Sequence, residues 1–162
     1  MKRTSPSRLA VIASLVSLVG CDHASKVAAE ATLRNRAPVV VVPGMIDLSY
    51  AENRDVAFGA LSRLSLRAPA WLLAALACLA IGIFIAWWLR GGAAGWSEPT
   101  AFAMIAAGGI GNAAERAIRG HVIDFIHVCF WPVFNVADVL IVVGLVLLVV
   151  RRCLAARVLR TG

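Results

Sequence analysis

Charge is what this 162-residue chain has least of: Asp, Glu, Lys and Arg make up 15% of it, against 60% hydrophobic residues and a mean hydropathy of +0.83. A soluble domain is roughly 45–50% apolar. A chain this short makes one domain, and a single water-facing core cannot hide so much apolar surface. An ordinary soluble globular protein is therefore excluded, and lipid must solvate much of the molecule. Cysteine is sparse and scattered: Cys21, Cys78, Cys129 and Cys153 stand singly, without CxxC spacing, so neither a zinc site nor a disulfide framework is supported. The 16 basic residues outnumber the nine acids, but no aromatic-studded basic stripe accompanies them, which argues against a nucleic-acid partner. Gly91-Gly92 and Gly108-Gly109 lack the lysine and strand context of a phosphate loop, which argues against nucleotide binding.

What the chain does have is apolar runs bounded by basic residues. Ala70 to Leu89 carries no charge over twenty residues and lies between Arg67 and Arg90, enough to cross a bilayer. Val133 to Val150 is aliphatic or glycine from Val139 onward and stops at Arg151-Arg152. Thr100 to Ala114 is rich in Ala and Gly, a composition suited to a helix pressed against its neighbours. The first run, Leu9 to Ala29, has two interpretations. Lys2, Arg3 and Arg8 before an apolar stretch ending in Leu18-Val19-Gly20-Cys21 resemble a secretory signal with a lipobox. An uncleaved first span is preferred, because the helix can continue past Cys21 and three further spans follow. The expectation is a mainly α membrane protein, a single membrane domain over residues 1–162. It has four transmembrane helices near 9–29, 70–89, 97–114 and 133–150, with an outer-side segment at 30–69.

Orientation is not decided by counting. With both termini inside, eight Lys and Arg lie on each side, although the basic groups on the two short tails favour that arrangement. Eight of the nine acids then fall outside, with Glu98 inside. Within the outer segment, Val39 to Val42, the Pro43-Gly44 turn, and Ile46, Leu48 and Tyr50 alternating with Asp47 and Ser49 predict two short strands over the helix ends.

Asp124 and Asp138 are both flanked by apolar residues, and an acid at membrane depth costs about 2.5–3.5 kcal/mol on insertion scales. Such residues mark a functional site by default. If the connection between the last two spans folds back, the carboxylates meet near the outer surface. Two carboxylates sharing a desolvated site cannot both ionise cheaply, so one keeps a proton while the other acts as base. Equally, each could cap a helix or pair with Arg116 or Arg119, and spacing alone leaves the two about even. His121, Asp124 and His127, taken as a helical i, i+3, i+6 set, spread over too wide an arc for a metal site. Trp71, Trp87, Trp88, Trp96 and Trp131 lie near span ends, as an interfacial belt would.

Five strings occur in order: Cys21-Asp22-His23-Ala24-Ser25-Lys26; Pro43-Gly44 with Tyr50 and Asn53-Arg54-Asp55-Val56-Ala57-Phe58-Gly59; Gly108-Gly109-Ile110-Gly111-Asn112-Ala113-Ala114-Glu115-Arg116; Gly120-His121-Val122-Ile123-Asp124-Phe125; and Phe134-Asn135-Val136-Ala137-Asp138. Together they resemble signal peptidase II, the bacterial lipoprotein signal peptidase family, over most of the chain. The resemblance implies a multi-pass aspartic endopeptidase of the bacterial inner membrane, its active site facing the periplasm. It would cut signal peptides from diacylglyceryl-modified prolipoproteins before the lipidated Cys, with no metal or organic cofactor. Prolipoproteins and membrane lipids are the implied partners, and a monomer is expected. By motif, Asp124 and Asp138 correspond to the catalytic pair, and Asn53, Asn112, Arg116 and Asn135 to substrate-holding residues. Asp22 and Lys26, able to pair at i, i+4, and Glu115 are expected as structural support. Two positions depart from the family pattern. Glu115 stands where Asp is usual, with a supporting salt bridge to Arg116 or Arg119 expected. Asp55 replaces a glycine, removing a residue free to adopt positive φ. A catalytically weak paralogue that binds lipidated precursors, and an exported lipoprotein processed at Cys21, are the alternatives.

Overall fold

A computed structural model of the chain describes residues 8–54, 79, 82, 86 and 97–161. The expected span at 70–89 therefore lies outside the described residues, except that Leu79, Gly82 and Ala86 are helical. Asp55 and four of the five tryptophans lie outside them too.

Helix α1 spans Arg8–Leu33, and its 26 residues extend about 39 Å, more than the hydrocarbon thickness of a bilayer. Its composition is apolar enough for a membrane crossing. Asp22, Lys26, Ala29 and Leu33 are buried, a 4-3-4 spacing that draws one stripe toward the rest of the protein, while Leu9, Ile12, Val16 and Val27 are exposed. The helix runs unbroken through Cys21, so processing there would cut it in the middle. It ends where Asn35 takes φ 60°, a left-handed stop followed by Pro38.

Helix α2, Ser97–Arg119, carries Glu98 and Pro99 in its first turn, a placement suited to a helix N-terminus. It packs against both α1 and α3 (Val136–Thr161). The expectation that this Ala- and Gly-rich stretch is pressed close is met: Ala101, Ala103, Ala106 and Ala107 are buried. A Cβ on Gly144 would lie 2.7 Å from the Ala101 carbonyl oxygen, and one on Gly108 would collide with the Ala137 carbonyl. The two helices run antiparallel, with Arg152 3.7 Å from Glu98 at the end away from the sheet.

Among the described residues that sheet has three strands, one more than expected, in the order β1 (Val39–Val42), β2 (Ile46–Asn53), β3 (Val122–Val128). Both pairings are antiparallel. Gly44, at φ 71°, turns the chain between β1 and β2. The third strand escapes sequence reading because Val122, Ile123 and Asp124 are all buried, which erases the period-two alternation that marks a half-exposed strand. Its partner β2 lies about seventy residues earlier in the chain. After β3 the chain doubles back at Cys129, φ 48°, and Phe134 bridges to Ile126. Asn135 is thereby returned to the level of Asp124.

Candidate active site

Asp124 projects from β3 and is 2% exposed. A bulge between Leu48 and Ala51 sets Asn53 opposite Val122, one diagonal step from Asp124. Asn53 Nδ2 donates to Asp124 Oδ2 at 2.8 Å, and Asn135 Nδ2 donates to Oδ1 at 2.6 Å. Burial raises the Asp124 pKa to about 6, against the pull of these two donors, and the nearby Asp138 charge pushes in the same direction as burial.

Asp138 sits in the first turn of α3, held by a different device. Its Oδ2 accepts the backbone N–H of Asn135 at 3.2 Å, while Asn135 Oδ1 accepts the Asp138 N–H at 3.1 Å. This is a reciprocal capping box, so the helix-cap expectation holds for Asp138 together with its place at the site. Its Oδ1 takes a 2.9 Å hydrogen bond from Asn112 Nδ2. Asn135 thus touches both carboxylates, and its amide also reaches Asn112 Oδ1 at 3.2 Å. The charge of Arg116 acts on both aspartates.

Behind the pair lies a buried cation. The Lys26 ammonium, 2% exposed, contacts Asp22 at 2.8 Å, Asn112 Oδ1 at 2.8 Å and Glu115 at 3.1 Å, which occupies its three donors. The two carboxylates of that group also reach further, Asp22 through its second oxygen and Glu115 through the oxygen that meets Lys26. Asp22 Oδ1 accepts the Ala137 N–H at 2.8 Å, next to Asp138, and Glu115 accepts the Ile123 N–H at 3.4 Å, next to Asp124. The expected Asp22–Lys26 pair is present. For Glu115 the partner is Lys26 on α1, while Arg119, one turn on, binds Glu30 at 2.6 Å instead. The longer Glu side chain bridges two helices at this position.

All nine residues singled out from the sequence are thus gathered where α1, α2, α3 and the sheet meet. The histidine argument needs correction, because Asp124 and His127 lie on a strand and not on a helix. Residues three apart on a strand face opposite ways, and His127 approaches Asp47 at 3.8 Å. Two features went unseen. A rim of Glu30, Arg34, Tyr50, Glu52 and Arg119 ties α1, β2 and α2 together. The i, i+4 spacing of Glu30 and Arg34 was its one local signal. An apolar cleft of about 500 Å³ has Asp138 on its wall beside Phe130, Trp131, Phe134, Val139 and Val142.

Two buried carboxylates lie under a small sheet at the meeting of the helices, one of which is apolar enough to cross a membrane, and Asp138 borders an apolar cleft. The chain belongs to the signal peptidase II family, whose model, described as Signal peptidase (SPase) II, matches residues 14–154. A lipoprotein signal peptidase of Xanthomonas euvesicatoria is 36% identical over 150 residues, covering 88% of this chain and 85% of that protein. One of Chlorobium phaeovibrioides is 32% identical over 152 residues, covering 84% and 85%. The fold matches a solved bacterial membrane enzyme with a TM-score of 0.83 at 19% identity, over 100% of this chain and 96% of that one.

Proposed function

We propose that this protein is an aspartic endopeptidase that removes signal peptides from diacylglyceryl-modified prolipoproteins, cutting before the lipidated Cys. The observation that carries this reading is that Asn135 donates to both carboxylates, from Nδ2 to Asp124 and from its backbone N–H to Asp138, with Asp138 on the wall of the apolar cleft. One carboxylate, ionised, takes a proton from water as the water oxygen attacks the scissile carbonyl carbon. The other, protonated, hydrogen-bonds the carbonyl oxygen and then supplies the proton with which the lipidated Cys leaves as an amine. Asn112 and Asn135 hold the carboxylates in register, and with Asn53 and Arg116 they face the substrate backbone. Asp22, Lys26 and Glu115 support them from behind. The cleft's aliphatic and aromatic wall suits acyl chains.

The same reading makes the protein one membrane domain with four spans near 9–29, 70–89, 97–114 and 133–150, in contact with membrane lipids. It is a monomer in the bacterial inner membrane, with the sheet and site on the periplasmic side. The test is cleavage of a diacylglyceryl-modified prolipoprotein by the purified protein in detergent. The parent cuts before the lipidated Cys, and Asp124→Asn and Asp138→Asn, made separately and shown to be folded, each lose about 10³-fold or more. A parent inert on every lipidated precursor overturns the enzyme assignment.

A further inference from the structure

Beside the Asp47–His127 pair, the far end of the sheet carries exposed apolar side chains that the chemistry does not explain. All four residues of β1, Val39 to Val42, are exposed, as are Met45 in the following turn, Phe130 at 94% and Trp131 at 50%. These belong to one tip: Val42 pairs with Ile46, Ile46 pairs with Val128, and the Cys129 N–H donates to the Met45 carbonyl at 2.9 Å. In water, a four-valine edge strand without Lys or Pro is a template for aggregation, and a contiguous patch of this kind marks an interaction surface.

Two observations say what covers it. The Val128–Trp131 turn shares the wall of the cleft with Val139, Val142 and Val143 of α3. Val143 lies seven residues into that helix, roughly 10 Å below its head, so the cleft that the turn borders runs down the side of α3. The α3 residues it meets are themselves exposed, and the exposed apolar surface continues along Val146 and Val150. The patch is therefore continuous with the surface that lipid must cover.

We infer that this tip is a membrane-contact element: β1, Met45 and the Phe130-Trp131 turn rest in the interfacial zone of the outer leaflet, with the bilayer as the partner. The depth has a physical limit. The outer edge of β1 carries backbone N–H and C=O groups that the hydrocarbon core cannot satisfy, so the strand stays at headgroup level while the side chains reach inward. Trp131 suits that level, with its amphipathic ring. The sheet is then seated against the membrane at its far end and pinned to the helices at its near end by the Glu30–Arg119 and Arg34–Glu52 pairs. A lipid-anchored substrate would meet a roof that already lies at the depth of its own acyl chains. This inference rests on the membrane orientation of the proposed function, though not on its catalysis.

The test uses the full chain in lipid nanodiscs and vesicles, with Cys21, Cys78, Cys129 and Cys153 replaced by Ser. Single nitroxide labels are placed at Val41→Cys or Phe130→Cys, with Val143→Cys and Arg36→Cys as lipid and water references. Relaxation by oxygen and by a water-soluble nickel chelate gives a depth for each. Labels at 41 and 130 are expected to favour oxygen over nickel and to fall between the references, nearer Val143 than Arg36. Nickel accessibility equal to that at Arg36 overturns the inference. Spin–spin broadening between labels of two copies, lost on dilution with unlabelled protein, also overturns it by making a second copy the occupant. Cleavage of a lipidated precursor is measured in parallel: a water-exposed tip on an active enzyme removes this inference alone, and a lipid-seated tip on an inert protein removes the proposed function alone.

Discussion

Asp124 and Asp138 are neighbours held by opposite means. Asp138 is held largely by its own locality, exchanging hydrogen bonds with Asn135 three residues away at the head of α3, with one long-range bond from Asn112. Asp124 owes its surroundings to distance along the chain: one oxygen is bound by Asn53, 71 residues earlier, and the other by Asn135 across a reversed connection. A helix cap tolerates ionisation well, because the helix N-terminus presents N–H groups and a positive dipole end. A buried strand position offers only the donors brought to it. Two chemically identical side chains are thereby held in two different environments.

The largest expected effect comes from removing what both share. Lys26→Met leaves Asp22 and Glu115 buried against each other without a cation and releases Asn112. About 3–5 kcal/mol of stability is expected to be lost, with cleavage abolished, checked by thermal unfolding in detergent and by the precursor assay. If stability and activity survive, the two aspartates do not depend on a common support.

Replacing each aspartate separately sharpens the contrast through pH. A folded-state Asp124 pKa of about 6 lies above the ordinary value of 3.8, so the folded chain binds this proton more tightly than the unfolded one. The stability it contributes is complete below about pH 4 and is lost as pH rises through 6. Asp124→Asn, which stays neutral but turns an NH2 toward the Asn53 or the Asn135 donor, is therefore expected to lose the fall in stability between pH 4 and 7.5 that the parent shows. Asp138→Asn turns an NH2 toward either the Asn112 or the Asn135 donor and is expected to lose about 1–3 kcal/mol at both ends of the pH range. Melting curves across that pH range separate the two.

Asn53→Ala removes a donor from Asp124. The Asn53 hydrogen bond favours the ionised carboxylate, so its removal is expected to move the acidic limb of the pH–rate profile near 6 to higher pH. A roughly tenfold loss of kcat/KM at neutral pH accompanies it, the worth of one hydrogen bond to a charged group. An unmoved limb would mean that the limb belongs to Asp138. Smallest is Arg34→Ala on the rim. Arg34 is half exposed, and such pairs are worth about 0–1 kcal/mol, so unfolding is expected to shift little. A large loss would show that the near end of the sheet depends on this rim.

The same contrast governs what was legible in advance. The spacing of Asn135 and Asp138 is a local signal and produced its cap, and Asp22 and Lys26, one turn apart, produced their pair. The strand carrying Asp124 was missed, since a run buried on both faces has no alternation and its partner lies far back in the chain. The Lys26–Glu115 pair was missed for a related reason: it joins two helices, and nothing within either helix marks the other as its partner.

Composition and periodicity by themselves determined that the chain lives in lipid, that its helices are bounded by basic residues, and that acids at apolar positions must have a use. These follow from transfer free energies, which depend on residue type and local order. Only the tertiary structure decided that Asn53, Asn112, Asn135 and Lys26 converge on two aspartates, that β3 joins the sheet, and that the Val128–Trp131 turn shares a cleft with the first turns of α3. Each of those needs segments tens of residues apart to arrive together, and a hydrogen bond between them leaves no periodic trace in either one.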